Sequence, residues 1–177
     1  VTQYNHPCEL TVESTAAVSR LVEAGLPVLN QAVLLRGVND DENVLEELFH
    51  GLVARRVFPY YLFQGDLAAG TSHFRVPLAR GMELVSRLRQ RLSGMAMPVY
   101  ALDLPGGGGK IPLTEAYLVS GPDEKTAGEG APVAGPGAEA GAEANEGAGD
   151  AAARSRSYRF TSPEGGIYEY PDESGDS

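Results

Sequence analysis

Short apolar runs recur through the first 120 residues at a spacing that few folds allow. "PVLNQAVLLR" (27–36), "VFPYYLF" (57–63) and "MPVYALD" (97–103) are β-rich, and strand starts fall about 25 to 40 residues apart. Such runs read as strands covered on both faces. "VTQYN" (1–5) reads as a further strand. Helical patterns stand between them. From about Thr11 to Ala24, Val12, Val18, Leu21 and Val22 share one face, and Gly25-Leu26-Pro27 stops the helix. After the turn Gly37-Val38-Asn39-Asp40, with Asn39 or Asp40 as cap, Val44, Leu45, Leu48, Phe49, Leu52 and Val53 repeat at helical spacing. A third helix runs from about Pro77 to Leu92, with Leu78, Met82, Val85, Leu88 and Leu92 inward and Gly94 as its stop. This alternation predicts an α/β fold, with helices on a largely parallel sheet and right-handed crossovers. An open doubly wound sheet and part of a βα barrel both satisfy it, and four units are too few for a closed eight-fold barrel.

Residues 121–157 break the pattern. They hold no aromatic residue and no Leu, Ile or Met, and Val133 is their only large apolar side chain. Such a stretch buries too little surface to offset its chain entropy, so it reads as a disordered, acidic Gly/Ala linker. "SYRFTSPEGGIYEYPDE" then carries two alternating aromatic runs joined by Pro-Glu-Gly-Gly, a β-hairpin signal. The expected organisation is a domain at 1–120, the linker at 121–157, and a C-terminal hairpin and tail at 158–177 that docks back on the domain.

Charge narrows the function classes. The chain carries a net −10, but residues 1–120 hold 10 basic and 12 acidic residues, and 121–177 hold 4 and 12. The domain therefore lacks the basic field that nucleic acid requires. No apolar run approaches the roughly 18 to 20 residues that span a bilayer, so no membrane partner is expected. Cys8, the only cysteine, rules out an intrachain disulfide and a protein-only thiolate metal site, which fits a reducing, cytoplasmic setting. The chain opens on Val1-Thr2-Gln3 with neither Met nor a basic signal start, so it is expected to begin inside a longer protein.

In α/β sheets, functional groups collect where strands end. Here those ends are Asn5-His6, Arg36-Gly37, Gln64-Gly65-Asp66, and Asp103 through Lys110. Asp66 and Asp103 suit either a functional role or an ordinary turn or cap. Lys110 is one of two lysines among 12 arginines and ends the run Gly106 to Gly109. A phosphate loop, G-x-x-x-x-G-K-S/T, fails at Leu104 and at Ile111. A desolvated primary amine can instead attack an aldehyde such as that of pyridoxal phosphate, and glycines let backbone pass close to a flat cofactor. A surface loop ending in an unremarkable lysine satisfies the same residues. No metal-ligand spacing joins His6, His50 and His73.

"YNHPCELT", "NQAVLLRGVNDD", "RVFPYYLFQGDLAAGTSHFRVPLARG" and "LPGGGGKIPL", followed by "YRFTSPEGGIYEYPDE", together resemble the lysine 2,3-aminomutases and their relatives among the radical S-adenosylmethionine enzymes. The resemblance implies a partial, TIM-like (βα) barrel of which this chain holds roughly the C-terminal half. It implies an isomerase that interconverts L-lysine and β-lysine by a 2,3-amino shift. Its cofactors are pyridoxal phosphate, S-adenosylmethionine and a [4Fe–4S] cluster. By the same resemblance Lys110 looks like the lysine that holds pyridoxal phosphate, with Gly108 and Gly109 beside the cofactor. Gln31 looks like a barrel-lining contact to cofactor. Asp66 and Asp103 look like the carboxylates that receive the distant ammonium of lysine, a small-molecule substrate, and acid at both positions favours lysine over glutamate. The full-length protein is expected to be a homo-oligomer.

Departures from the family carry expectations too. The CxxxCxxC motif is absent, so cluster ligands are expected in a missing N-terminal part, and this piece alone is expected to be inactive. Some members bind zinc through a cysteine after the Asn-Asp turn and a C-terminal cysteine cluster. Here Asp41 follows Asp40 and "PDESGDS" has no cysteine, so no zinc is expected. Gln3 stands where histidine is expected, and the acidic insertion is foreign to the pattern. Other readings remain: a β-lysine-forming enzyme serving elongation-factor modification, a non-catalytic barrel fragment, or a pyridoxal enzyme without radical chemistry.

Overall fold

The computed structural model describes residues 1–114, 116–121 and 156–172; residues 122–155 and 173–177, with most of the acidic linker and the tail, lie outside them. The elements in order are α1 (Val12–Glu23), β1 (Val28–Val33), α2 (Glu42–Ala54), β2 (Val57–Phe63), α3 (Leu78–Arg91), β3 (Val99–Leu104), β4 (Gly109–Pro112), β5 (Leu118–Ser120), β6 (Arg156–Thr161) and β7 (Ile167–Asp172). They form an α/β structure with two sheets. The first has the order β1-β2-β3-β4, its first three strands parallel and β4 antiparallel to β3. The second is antiparallel, in the order β5-β6-β7. Among the described residues no helix is long and apolar enough to cross a membrane.

One face of the first sheet is covered. Ala32, Leu34, Leu62 and Tyr100 pack there against Leu45, Leu48, Phe49 and Leu52 of α2 and Leu84 and Leu88 of α3. The apolar runs predict cover on both faces, but Phe58, Tyr60 and Val99 remain 41%, 41% and 44% exposed. The helices contribute to one core on one side, so the other side of these strands stays open. A second cluster, Leu78, Leu102, Leu104 and Ile111 against Tyr158, Phe160 and Tyr170, fastens the second sheet to the first.

Three local expectations are corrected. Residues 1–5 do not form a strand; only Thr2 bridges β1, at Asn30. The buried Asn30 amide accepts from Tyr4 N at 2.7 Å and donates to Tyr4 O at 3.0 Å, replacing a backbone ladder. The cap of α2 is neither Asn39 nor Asp40 but Asp41, whose carboxylate accepts from Asn43 N and Val44 N at 2.8 and 3.3 Å. Asn39 is engaged elsewhere, donating to Asn5 O and Val33 O, and Asp40 accepts from Gly37 N. On α1, Val18 is buried, but Val12 and Leu21 are 83% and 43% exposed, because α1 packs at the edge of the sheet, against β1. Asp41→Ala should cost about 1 kcal/mol of stability in a denaturant titration, the usual loss for an N-cap; Asn39→Ala, which strips a buried network, should cost more.

Candidate functional site

β3 and β4 place two charged side chains opposite each other. The glycine run turns the chain back on itself, with Gly106, Gly107 and Gly109 at φ of 68°, 82° and 80°, values that favour glycine. The return strand β4 then pairs Lys110 with Asp103 and Ile111 with Leu102. Successive side chains alternate between faces, so Ile111 enters the core while Lys110 and Asp103 face the open side. Lys110 Nζ lies 4.0 Å from Asp103 Oδ1, both side chains being partly exposed. Such a pair contributes at most about 1 kcal/mol.

Aromatic rings complete this nest. Tyr61 and Phe63 sit two residues apart on β2, on the same face, and the ammonium lies 4.8 and 4.2 Å from their ring centroids. Both distances fall within cation–π range. The Tyr61 phenol is pushed above its ordinary value, first by its hydrogen bond with Tyr60, then by burial and by the charges of Tyr60 and Asp103. Gln31 is the register partner of Tyr61 on β1, half-buried in the same row. Lys110, Asp103 and Gln31 therefore share one sheet face with an aromatic floor. The composition of β2 held the signal for Tyr61 and Phe63, in the alternation of "YLF" at a strand end; it went unused because apolar runs read first as core.

Asp66 stands apart from this pair, in the loop that leaves β2. It lines a hollow of about 210 Å³ with Val33, Leu35, Phe74 and the buried Arg75, and neither Lys110 nor Asp103 lines it. Val33 pairs with Phe63 in the sheet, so the hollow opens at the end of the aromatic row. Asp66 and Asp103 thus lie at the ends of adjacent parallel strands.

Gly108 is sterically constrained. A Cβ there would stand 2.7 Å from the Tyr168 ring and 2.8 Å from Leu104 Cβ. The run from Gly106 to Gly109 is therefore a built turn rather than slack chain. His6 acts locally: its Nδ1 accepts from Cys8 N, and Glu9 closes a capping box on the backbone of Asn5 and His6. Among the described residues no three His, Cys, Asp or Glu side chains gather to hold a metal ion.

Behind the site runs a buried network that sequence inspection missed. Gln64 donates to Val76 O at 2.7 Å and to Tyr170 Oη at 3.2 Å, and accepts from Tyr100 Oη at 2.5 Å. Burial pushes the Tyr100 phenol well up, so it stays a donor. No sequence signal ties Gln64 to a tyrosine 106 residues away.

The chain is similar to several known proteins. The family model described as lysine-2,3-aminomutase matches residues 85–128. The L-lysine 2,3-aminomutase of Clostridium subterminale is 48% identical over 124 residues, which are 70% of this chain and 30% of that protein. The L-lysine 2,3-aminomutase of Bacillus subtilis is 47% identical over 124 residues, 70% of this chain and 26% of that protein. The glutamate 2,3-aminomutase of Clostridioides difficile is 48% identical over 119 residues, 67% of this chain and 28% of that protein. The chain spans less than a third of the length of these relatives. On these matches the chain carries a region of the lysine 2,3-aminomutase family.

Proposed function

We propose that this chain supplies the amine-handling part of an aminomutase that interconverts L-lysine and β-lysine, within a (βα) barrel completed by the rest of the protein. The observation that carries this reading is the Lys110 ammonium held between the Asp103 carboxylate and the Tyr61 and Phe63 rings on the open sheet face. Pyridoxal phosphate, when bound, supplies an aldehyde that links reversibly to amines and a ring that accepts electron density. The residues present suit it. Lys110 is a primary amine that emerges from a glycine turn whose backbone no side chain of its own shields, and flat rings lie beneath it. Gln31 offers an amide in the row of Tyr61.

With Lys110 committed to the cofactor, Asp103 and the two rings become free to receive another cation. Asp66, at the next strand end, adds a second carboxylate. Asp66 lines a hollow that Asp103 does not, but the two lie at adjacent strand ends, and in this reading both receive the far ammonium of lysine by charge-assisted hydrogen bonds, which keeps its α-amine near Lys110. The same two carboxylates repel the side chain of glutamate. Relatives named for lysine and for glutamate match this chain at the same 48% identity, so identity alone does not choose the substrate, and in this reading Asp66 and Asp103 are what favour lysine. A [4Fe–4S] cluster takes several thiolates and Cys8 is the one cysteine here. The radical step with S-adenosylmethionine therefore rests on residues outside this chain.

The test is anaerobic incubation of the intact gene product with lysine, S-adenosylmethionine, pyridoxal phosphate and reductant. β-Lysine is the expected product. Asp66→Asn and Asp103→Asn should each raise KM for lysine by about 10- to 100-fold, with a smaller effect on kcat, the scale of a lost charged hydrogen bond. Absence of any 2,3-shift, with cluster and pyridoxal phosphate verified as bound, rules the reading out.

A further inference from the structure

We propose that β7 is a positioning strap for the site: Tyr170 fixes the root of the Asp66 loop, and Tyr168 fixes the glycine turn that leads to Lys110. This rests on the roles given above to Lys110 and Asp66. Tyr168, Tyr170 and Asp172 occur at alternate positions of β7 and so share one face. Each meets a different part of the first sheet's surroundings. Tyr170, 1% exposed, donates from Oη to Gly65 O at 2.9 Å, one residue before Asp66, and accepts from Gln64 Nε2. The Tyr168 ring lies directly on the backbone of Gly108, where a Cβ would come within 2.7 Å of it. Asp172, 6% exposed, accepts from Leu78 N at 2.8 Å and so caps α3, whose own N-cap residue is Pro77 and makes no side-chain cap.

The geometry answers a need of the site. Residues 66–74 are exposed throughout, so Asp66 sits on a loop whose backbone must be anchored at its start. Tyr170 is that anchor, reached across 105 residues of sequence. Burial is the main influence that raises its phenol, and Asp66 is among the charges acting on it, so the hydroxyl remains a donor through the neutral range. Lys110 follows three glycines held at positive φ and one pressed against a ring, an arrangement with large chain entropy unless it is pinned. Tyr168 pins it.

The strap predicts separable effects from two residues on one strand. The experiment uses the intact gene product with pyridoxal phosphate and two readouts. One is the rate at which borohydride fixes pyridoxal phosphate to Lys110, followed by peptide mass spectrometry. The other is the ratio of affinities for lysine and norleucine, which share the α-amine and differ in the far ammonium. Tyr170→Phe keeps the ring and removes one buried hydroxyl. It should lower the lysine-over-norleucine preference about tenfold and leave the labelling rate unchanged. Tyr168→Ala should slow labelling about tenfold and leave the preference unchanged. Tyr168→Leu keeps apolar bulk and stands in if the alanine variant does not fold. A hairpin that only stabilises the fold would move both readouts together in both variants, or move neither, and either result overturns the strap. Failure to label Lys110 in the unsubstituted protein is a different outcome, which overturns the role of Lys110 together with the strap.

Discussion

Lys110→Ala in the intact protein is expected to lower turnover of the amino shift by about a thousandfold or more and to abolish borohydride labelling at that position. The fold should be little affected. The ammonium is partly exposed, and its contacts with Asp103 and the two rings contribute about 1 kcal/mol each at most. The thermal midpoint should therefore fall by about ten degrees at most, with the variant still folded at assay temperature, which separates loss of chemistry from loss of structure. Lys110→Arg sharpens the test. A guanidinium keeps the positive charge over Tyr61 and Phe63 and beside Asp103, but it does not lose its proton and cannot act as a nucleophile. If Lys110 serves as a reactive amine, arginine is as inactive as alanine. Substantial activity in Lys110→Arg would show that the position needs only charge, and the proposed chemistry would fail.

Gly81→Ala is expected to destabilise the protein by about 1 to 5 kcal/mol, although alanine is the better helix former. Gly81 lies within α3 and is buried. On propensity alone the substitution would stabilise the helix by about 1 kcal/mol. A Cβ there would fall 2.0 Å from Tyr100 Oη and 2.9 Å from Tyr100 Cζ, with Leu34 Cδ2 at 3.1 Å behind. Moving the buried ring aside breaks the hydrogen bond from its hydroxyl to Gln64. Overpacking of this kind costs about 1 to 3 kcal/mol. Displacing the hydroxyl strands the buried Gln64 oxygen at a further cost of about 1 to 3 kcal/mol. The two costs exceed the gain in helix propensity. A denaturant titration decides the matter, and equal or greater stability in the variant contradicts the packing described here. Tyr100→Phe in the Gly81→Ala background should recover part of the loss, since the residues are in direct contact and their effects should not add.

How far sequence reaches is visible in particular elements. The run at 57–63 is β2 residue for residue, and the helix expected from about Pro77 to Leu92 is α3 at Leu78–Arg91. Both carry strong periodic burial that the chain records locally. The family likewise followed from four ordered motifs, and relatives with the same name match this chain closely. The strand expected at 1–5 failed because a single buried amide, Asn30, takes up the backbone groups of Tyr4, and one side chain leaves no periodic trace.

For the site, the chain by itself singled out Lys110, Asp103 and Asp66, because polar residues at the ends of apolar runs are visible without coordinates; Gln31, inside its run, came only from the resemblance to the family. Their arrangement was decided elsewhere. The return of β4 along β3 sets Lys110 against Asp103, and the register of β2 slides two rings beneath the amine. Tyr170 and Asp172 reach back about a hundred residues to hold Gly65 and Leu78. Hydrophobic period encodes which way each side chain faces within its own strand or helix. Register between distant segments is settled only when they meet and their buried polar groups find partners, and no stretch of the chain contains that information alone.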